Sequence, residues 1–197
     1  TTTSVVFYGA AKALNPPAGY LIGFLFYWTV WCLLIPAAVF KKSILYFFSG
    51  TKKFLTLRNL IWVILLVITI IVPLFTPFMK DLSVTPPAVI ILAVPLAIIH
   101  GFCEELFWRG LYVKEFPTEP IWAIAIPTIF FAAWHIAPQF AIRTVPVAPF
   151  ILSTLPLGLT YALVAYFTKS AFWSAIGHSI SGILAFSGLL APSLYTL

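Results

Sequence analysis

Apolar residues run along this chain in long blocks, with the polar residues gathered between them. Windows at 19–40, 60–79, 88–113, 121–140, 147–168 and 171–190 each hold about 20 predominantly apolar residues, the length a membrane-spanning helix needs. Turn chemistry separates the blocks, as in Lys80-Asp81, Pro117-Thr118-Glu119-Pro120 and Thr168-Lys169-Ser170. Stretches such as Ile61 to Val72 lack the period-two alternation of a barrel strand. The pattern therefore predicts an all-α membrane protein, a polytopic bundle of about six transmembrane helices in a single integral-membrane domain over residues 1–197. Pro36, Pro73, Pro95, Pro127 and Pro156 fall inside the predicted spans. Kinked helices follow, with the freed carbonyls satisfied by neighbouring helices or side chains.

Composition agrees with the pattern. Of the 197 residues 62% are apolar and 8% charged, too few charges to clothe a water-soluble globule. High hydrophobicity excludes disorder, and two cysteines, Cys32 and Cys103, both inside apolar runs, exclude a disulfide scaffold. The net charge of +6 is not a nucleic-acid footprint, because Lys41, Lys42, Lys52, Lys53 and Arg58 share one loop without an acid. The positive-inside rule places that loop in the cytoplasm. The 114–120 and 168–170 loops then lie on the same side. The N-terminus, the 80–87 and 141–146 loops and the C-terminus lie outside. Ile44, Leu45, Phe47, Phe48, Phe54 and Leu55 are mixed among the lysines of 41–58, which suits either an interfacial helix or an ordinary anchoring loop. No signal-peptide pattern is legible, since Val5 to Ala11 is short and Lys12 follows it.

Against this background the polar residues inside the spans stand out. Ionisable groups there cost about 2.5–3.5 kcal/mol each on insertion scales. Glu105 and Arg109 are four apart with the acid first, the favourable order for a structural ion pair on a helix. Glu104 is turned about 100° away from Glu105 and points elsewhere. The three histidines, His100, His135 and His178, all lie in spans and none in a loop. At about 1.5 Å per residue, Glu104 sits about 16 Å, His135 about 22 Å and His178 about 13 Å from the cytoplasmic ends of their spans. Tilt and proline kinks absorb that spread. Three polar side chains from three antiparallel helices thus meet at one level, in the cytoplasmic half or near the midplane. Such a set suits hydrolysis: a glutamate as general base or acid, one histidine sharing the attacking water, and a second supporting the oxyanion. No serine or cysteine nucleophile is required.

At these residues the chain resembles the CAAX-protease and bacteriocin-processing family of intramembrane peptidases, which includes the type II CAAX prenyl endopeptidases. The Glu-Glu-x-x-x-Arg motif is Glu104-Glu105-Leu106-Phe107-Trp108-Arg109, and Phe-x-x-x-His is Phe131-Ala132-Ala133-Trp134-His135. The third motif, a histidine usually followed four residues on by asparagine, begins at His178 but reaches Gly182. The resemblance implies that Glu104 and His135 activate water, that His178 helps hold the oxyanion, that Glu105 supports Glu104 and that Arg109 pairs within its helix. It places the catalytic core in about 88–190. Ser181 is the nearby hydroxyl that could stand in for the missing asparagine.

The expected function is an intramembrane endopeptidase, of glutamate-peptidase type, that needs no cofactor. His100 and Glu104 are four apart and, with His135 and His178, form a candidate zinc set, the minor alternative. No His-Glu-x-x-His helix is present, and His100 reads as support or packing before ligand. Expected partners are the lipid bilayer and a membrane-associated protein or peptide substrate, with no nucleic acid. The expected location is a prokaryotic cell membrane, with the active site toward the cytoplasmic half. Competing classes are a non-catalytic member serving bacteriocin immunity or as a scaffold, and a small proton-coupled transporter. The latter is weakened by the lack of an internal repeat.

Overall fold

The computed structural model describes residues 1–50, 56–83, 85–143 and 146–195, with backbone alone at 58, 77, 81 and 187–195. All regular structure among them is helical. Helices α1 (Thr2–Ala13) and α2 (Pro16–Phe40) form an N-terminal hairpin. The short α3 (Ile44–Phe48) leads to α4 (Leu60–Pro73). Helix α5 (Pro87–Glu115) carries the two glutamates, α6 (Ile126–Trp134) leads to His135, and α7 (Val147–Thr168) and α8 (Phe172–Tyr195) complete the bundle.

Four helices are long and apolar enough to cross a membrane: Pro16–Phe40, Pro87–Glu115, Ile121–Phe140 and Val147–Thr168. Two further apolar helices, Leu60–Thr76 and Phe172–Phe186, are shorter over the residues whose side chains are described. The sequence-based count of about six spans is thus met by length for four.

Two features depart from simple α-helical spans. First, α1 was not expected. Gly19 and Gly23 of α2, a Gly-x-x-x-Gly pair, have no room for a Cβ, because Ala11 and the ring of Phe7 occupy those spaces. Small residues let two helices approach this closely, and α1 docks there with Phe7 fully buried. Second, the long helices contain π-helical stretches at Tyr27–Leu34, Leu74–Phe78, Leu106–Gly110 and Ile121–Ala125. Pro36, Pro73 with Pro77, and Pro127 abut three of these, where proline removes an i→i−4 hydrogen bond and the ladder must re-register. The Leu106–Gly110 stretch has no adjacent proline and directly follows Glu104 and Glu105. Such insertions gather at functional sites.

The most extensive helix–helix packing among the described residues is between α5 and α8. Small residues make it possible. A Cβ on Gly101 would lie 2.5 Å from Ser179 Oγ and 2.7 Å from its backbone nitrogen, and one on Gly182 would lie 3.2 Å from Ala97 Cβ. Ala93 and Ala97 are fully buried on the same face of α5.

At one end of the bundle the three loops expected to share a side are tied together. Lys114 Nζ donates to Ser49 O at 2.9 Å, Lys169 Nζ to Pro117 O at 2.6 Å and Ser170 Oγ to Phe48 O at 2.7 Å. At that end α3 packs Phe47 against Leu106 and Leu111 and leaves Ile44 and Leu45 exposed. Lys52, Lys53, Phe54 and Leu55 of the same predicted segment lie outside the described residues.

Candidate functional site

Glu104 is the last residue but one of the α-helical part of α5, and its neighbours arrive from three directions. His100 lies one turn earlier on the same helix, with Nε2 3.3 Å from Glu104 Oε2. His178 reaches across from α8, with Nε2 3.7 Å from the same oxygen. Tyr27 of α2 lies close enough to interact electrostatically with Glu104. Glu104 is fully buried, yet neither of its oxygens has a hydrogen bond of ordinary geometry. A buried carboxylate left this way is costly to folding. Its retention therefore points to chemistry rather than packing.

Glu105 is held quite differently. Its Oε1 takes Arg109 Nη1 at 2.8 Å and pairs with His178 Nδ1 at 3.0 Å. Arg109, also fully buried, uses Nη2 to donate to the Gly158 carbonyl at 3.0 Å and lays its guanidinium 4.1 Å from the centre of the Phe131 ring. Gly158 is needed for that approach, since a Cβ there would meet the Phe131 ring at 2.7 Å and Arg109 Nη2 at 3.2 Å. Glu105 and Arg109 are the expected ion pair. The structure adds that this pair also orients His178, whose ring stacks on Tyr161 at 4.9 Å and 20°.

His135 lies inside the span Ile121–Phe140 but beyond its regular α-helical turns. The helix ends at Trp134 and His135 is its C-cap, with Pro138 opening a 3₁₀ turn three residues later. Its Nδ1 pairs with Phe131 O at 2.7 Å. A carbonyl only accepts, so Nδ1 carries the proton and Nε2 keeps its lone pair. The Phe-x-x-x-His motif thus has a local physical meaning: the Phe131 carbonyl sets the tautomer of His135, and the Phe131 ring supports Arg109.

His100, His135 and His178 all line one cavity of about 180 Å³, with Phe150, Ser153, Ser181 and Gly182 also in its wall. Glu104 lies immediately behind His100 and His178. Ser181, the candidate donor, is already engaged: its Oγ donates to His178 O at 3.1 Å and pairs with Tyr161 Oη at 2.7 Å. Gly182, where the resemblance implied an asparagine, leaves the wall without a side chain. The buried Gln139 amide lines the same cavity and was missed by sequence reasoning. Being the chain's one glutamine, four residues after His135, was the available signal. Tyr20 and Phe24 of α2 line the wall as well, so the site extends beyond the expected core of 88–190.

The candidate metal set can be tested against this hydrogen bonding. Ligand atoms of His100, Glu104 and His178 lie within 4.8 Å of one another, and His135 does not join them. His178 fits a ligand, because a carboxylate behind Nδ1 leaves Nε2 with its lone pair. His100 does not fit. Trp28 Nε1 donates to its Nδ1 at 3.2 Å, and a neutral imidazole accepting there carries its proton on Nε2.

No curated protein and no solved structure matches the chain. Over residues 86–184, half of the chain and the whole stretch from the start of α5 to two residues beyond Gly182, it matches the model of the type II CAAX prenyl endopeptidase Rce1-like family. With the Glu-Glu-x-x-x-Arg, Phe-x-x-x-His and His178 elements converging on one buried cluster inside that match, the chain belongs to this family of membrane peptidases.

Proposed function

We propose that the protein is an intramembrane endopeptidase that hydrolyses a peptide bond of a membrane-associated protein or peptide with a water activated by Glu104 and His135. The observation that carries this reading is the fully buried Glu104 carboxylate, without a hydrogen bond of ordinary geometry, behind a cavity walled by all three histidines. A water between Glu104 and His135 Nε2 meets two acceptors. As its oxygen bonds to the substrate's carbonyl carbon, its proton passes to Glu104. The carbonyl oxygen takes up negative charge, and His178, held from behind by Glu105 and Tyr161, is assigned to it through a proton on Nε2 in addition to the Nδ1–H that faces Glu105. When the C–N bond breaks, Glu104 returns the proton to the leaving nitrogen, which completes general acid–base catalysis without a covalent intermediate. We assign no cofactor, because His100, with its proton on Nε2, offers no lone pair at Glu104.

The test is mass spectrometry of membrane peptides from cells carrying the wild-type or the Glu104→Gln protein. A precursor should accumulate only with Glu104→Gln. His135→Ala and His178→Ala should each remove most activity, with the triple variant scarcely worse than the worst single, as for groups acting as one unit. Identical membrane peptides in cells with well-inserted wild-type and Glu104→Gln protein would refute the hydrolase reading.

A further inference from the structure

Trp28 lies outside the residues that match the family, on a different helix from every motif, yet it touches the site. It is 5% exposed and sits in the π-helical stretch Tyr27–Leu34 of α2. There its indole nitrogen is aimed at His100 Nδ1, at 3.2 Å. The orientation of the His100 ring is set by packing: Phe24 and Phe186 meet it edge-on at 5.2 and 5.1 Å, and His178 at 5.2 Å. Packing of this kind holds the ring but does not choose which nitrogen carries the proton. An indole N–H does, because it donates and never accepts.

We propose that Trp28 is a positioning residue: by donating to His100 Nδ1 it holds the imidazole in the Nε2–H tautomer, so that His100 presents a proton donor, and neither a base nor a metal ligand, to Glu104. Resting on the peptidase reading above, this assigns the first histidine a task complementary to the other two. His135 has Nδ1 facing the Phe131 carbonyl, so its Nε2 faces the site as an acceptor, while His178 has Nδ1 facing the Glu105 carboxylate. His100 alone has a donor behind it, and its Nε2 lies 3.3 Å from Glu104 Oε2. That contact is bent away from a formed hydrogen bond in the free protein, and catalytic contacts of this kind tighten when substrate enters. A donor on His100 and an acceptor on His135 beside the carboxylate let the cluster hold a water in a single orientation.

The experiment is proton–nitrogen correlation NMR of isotope-labelled histidines in the purified, micelle-embedded protein, with His100 assigned by its loss in His100→Gln. The wild type should show Nε2 protonated and Nδ1 unprotonated at His100. Trp28→Phe, which keeps an aromatic ring but removes the donor, should shift His100 toward the other tautomer. It should also lower kcat about tenfold with KM little changed, the worth of one neutral hydrogen bond. In a His100→Gln background, whose amide keeps an N–H near Glu104, Trp28→Phe should have no further effect on kcat. A wild-type His100 protonated on Nδ1 overturns the proposal by itself, even where Trp28→Phe fails to fold. So does a spectrum unmoved by the substitution. A preparation with no peptidase activity but the expected tautomer would count against the reaction and leave the tautomer assignment standing.

Discussion

Removing Arg109 tests whether the buried pair is the frame on which the site hangs. Arg109→Met keeps most of the volume but deletes the guanidinium. Glu105 Oε1 then loses its 2.8 Å partner, the Gly158 carbonyl its 3.0 Å donor and the Phe131 ring the cation 4.1 Å above it. Both members of the pair are fully buried, so water cannot replace what is lost. Breaking one side of such a pair costs about 3–5 kcal/mol. His178 remains on Glu105 at 3.0 Å, which places the expectation near the lower end, about 3 kcal/mol. Glu105→Gln added to Arg109→Met removes the stranded charge, so the double variant should recover about 1–2 kcal/mol of that loss. Denaturant unfolding of the two single variants and the double variant in detergent measures all three quantities. A loss below about 1 kcal/mol for Arg109→Met, or a double variant less stable than Arg109→Met, would show that the pair is not what compensates Glu105.

Gly182→Asn places a side chain on the cavity wall with its Cβ 3.2 Å from that of Ala97. It should cost about 1–2 kcal/mol of stability, part of which Ala97→Gly recovers, and any molecules that fold should turn over faster. An equally stable protein that is no faster would mean that other groups, Gln139 first, hold the oxyanion. Activity should survive prolonged treatment with a strong chelator. Stoichiometric zinc in elemental analysis, with activity lost on its removal and restored on its return, would overturn the metal-free assignment. Cysteines placed at the exposed Ser49 and Ser83 should label from opposite sides, Ser49 from the cytoplasm. The reverse labelling would move the site to the outer half of the membrane.

The spans were legible because lipid demands a property that composition records, an unbroken apolar length. The ion pair was legible because i,i+4 geometry is local. What sequence did not disclose depends on register or on distant neighbours. The π-helical stretches leave no compositional trace beyond the prolines at three of them, and the one after Glu105 lacks even that. Helix α1 was overlooked because twelve mixed residues are no span, although the Gly19/Gly23 pair marks the groove that receives it. Apolar character continues past His135 and hides the point within the span where the α-helical turns end. Pro138 was the sign that the helix stops. Trp28 and Tyr161 reach His100 and His178 from separate helices, across 72 and 17 residues of chain, and no spacing rule connects them.

The two adjacent glutamates illustrate why the site needs both. A single carboxylate sealed in a helical bundle would tend to be removed by selection for stability, or paired and thereby quenched. Here the pairing falls on Glu105, which takes Arg109 and His178 and so fixes α5, α7 and α8 relative to one another through Gly158 and Glu105. The next residue back can then be left without a committed partner, because its position is dictated by a backbone that Glu105 has already anchored. The close seam of Gly101 on Ser179 and Gly182 on Ala97 supplies packing in compensation, and it is also what brings His178 within 3.7 Å of Glu104. In the proposed mechanism, stability and reactivity are separated between neighbouring side chains on one helix turn. A substitution in the seam should therefore degrade both together, whereas Glu104→Gln should remove reactivity and, by relieving a buried charge, leave the fold no less stable.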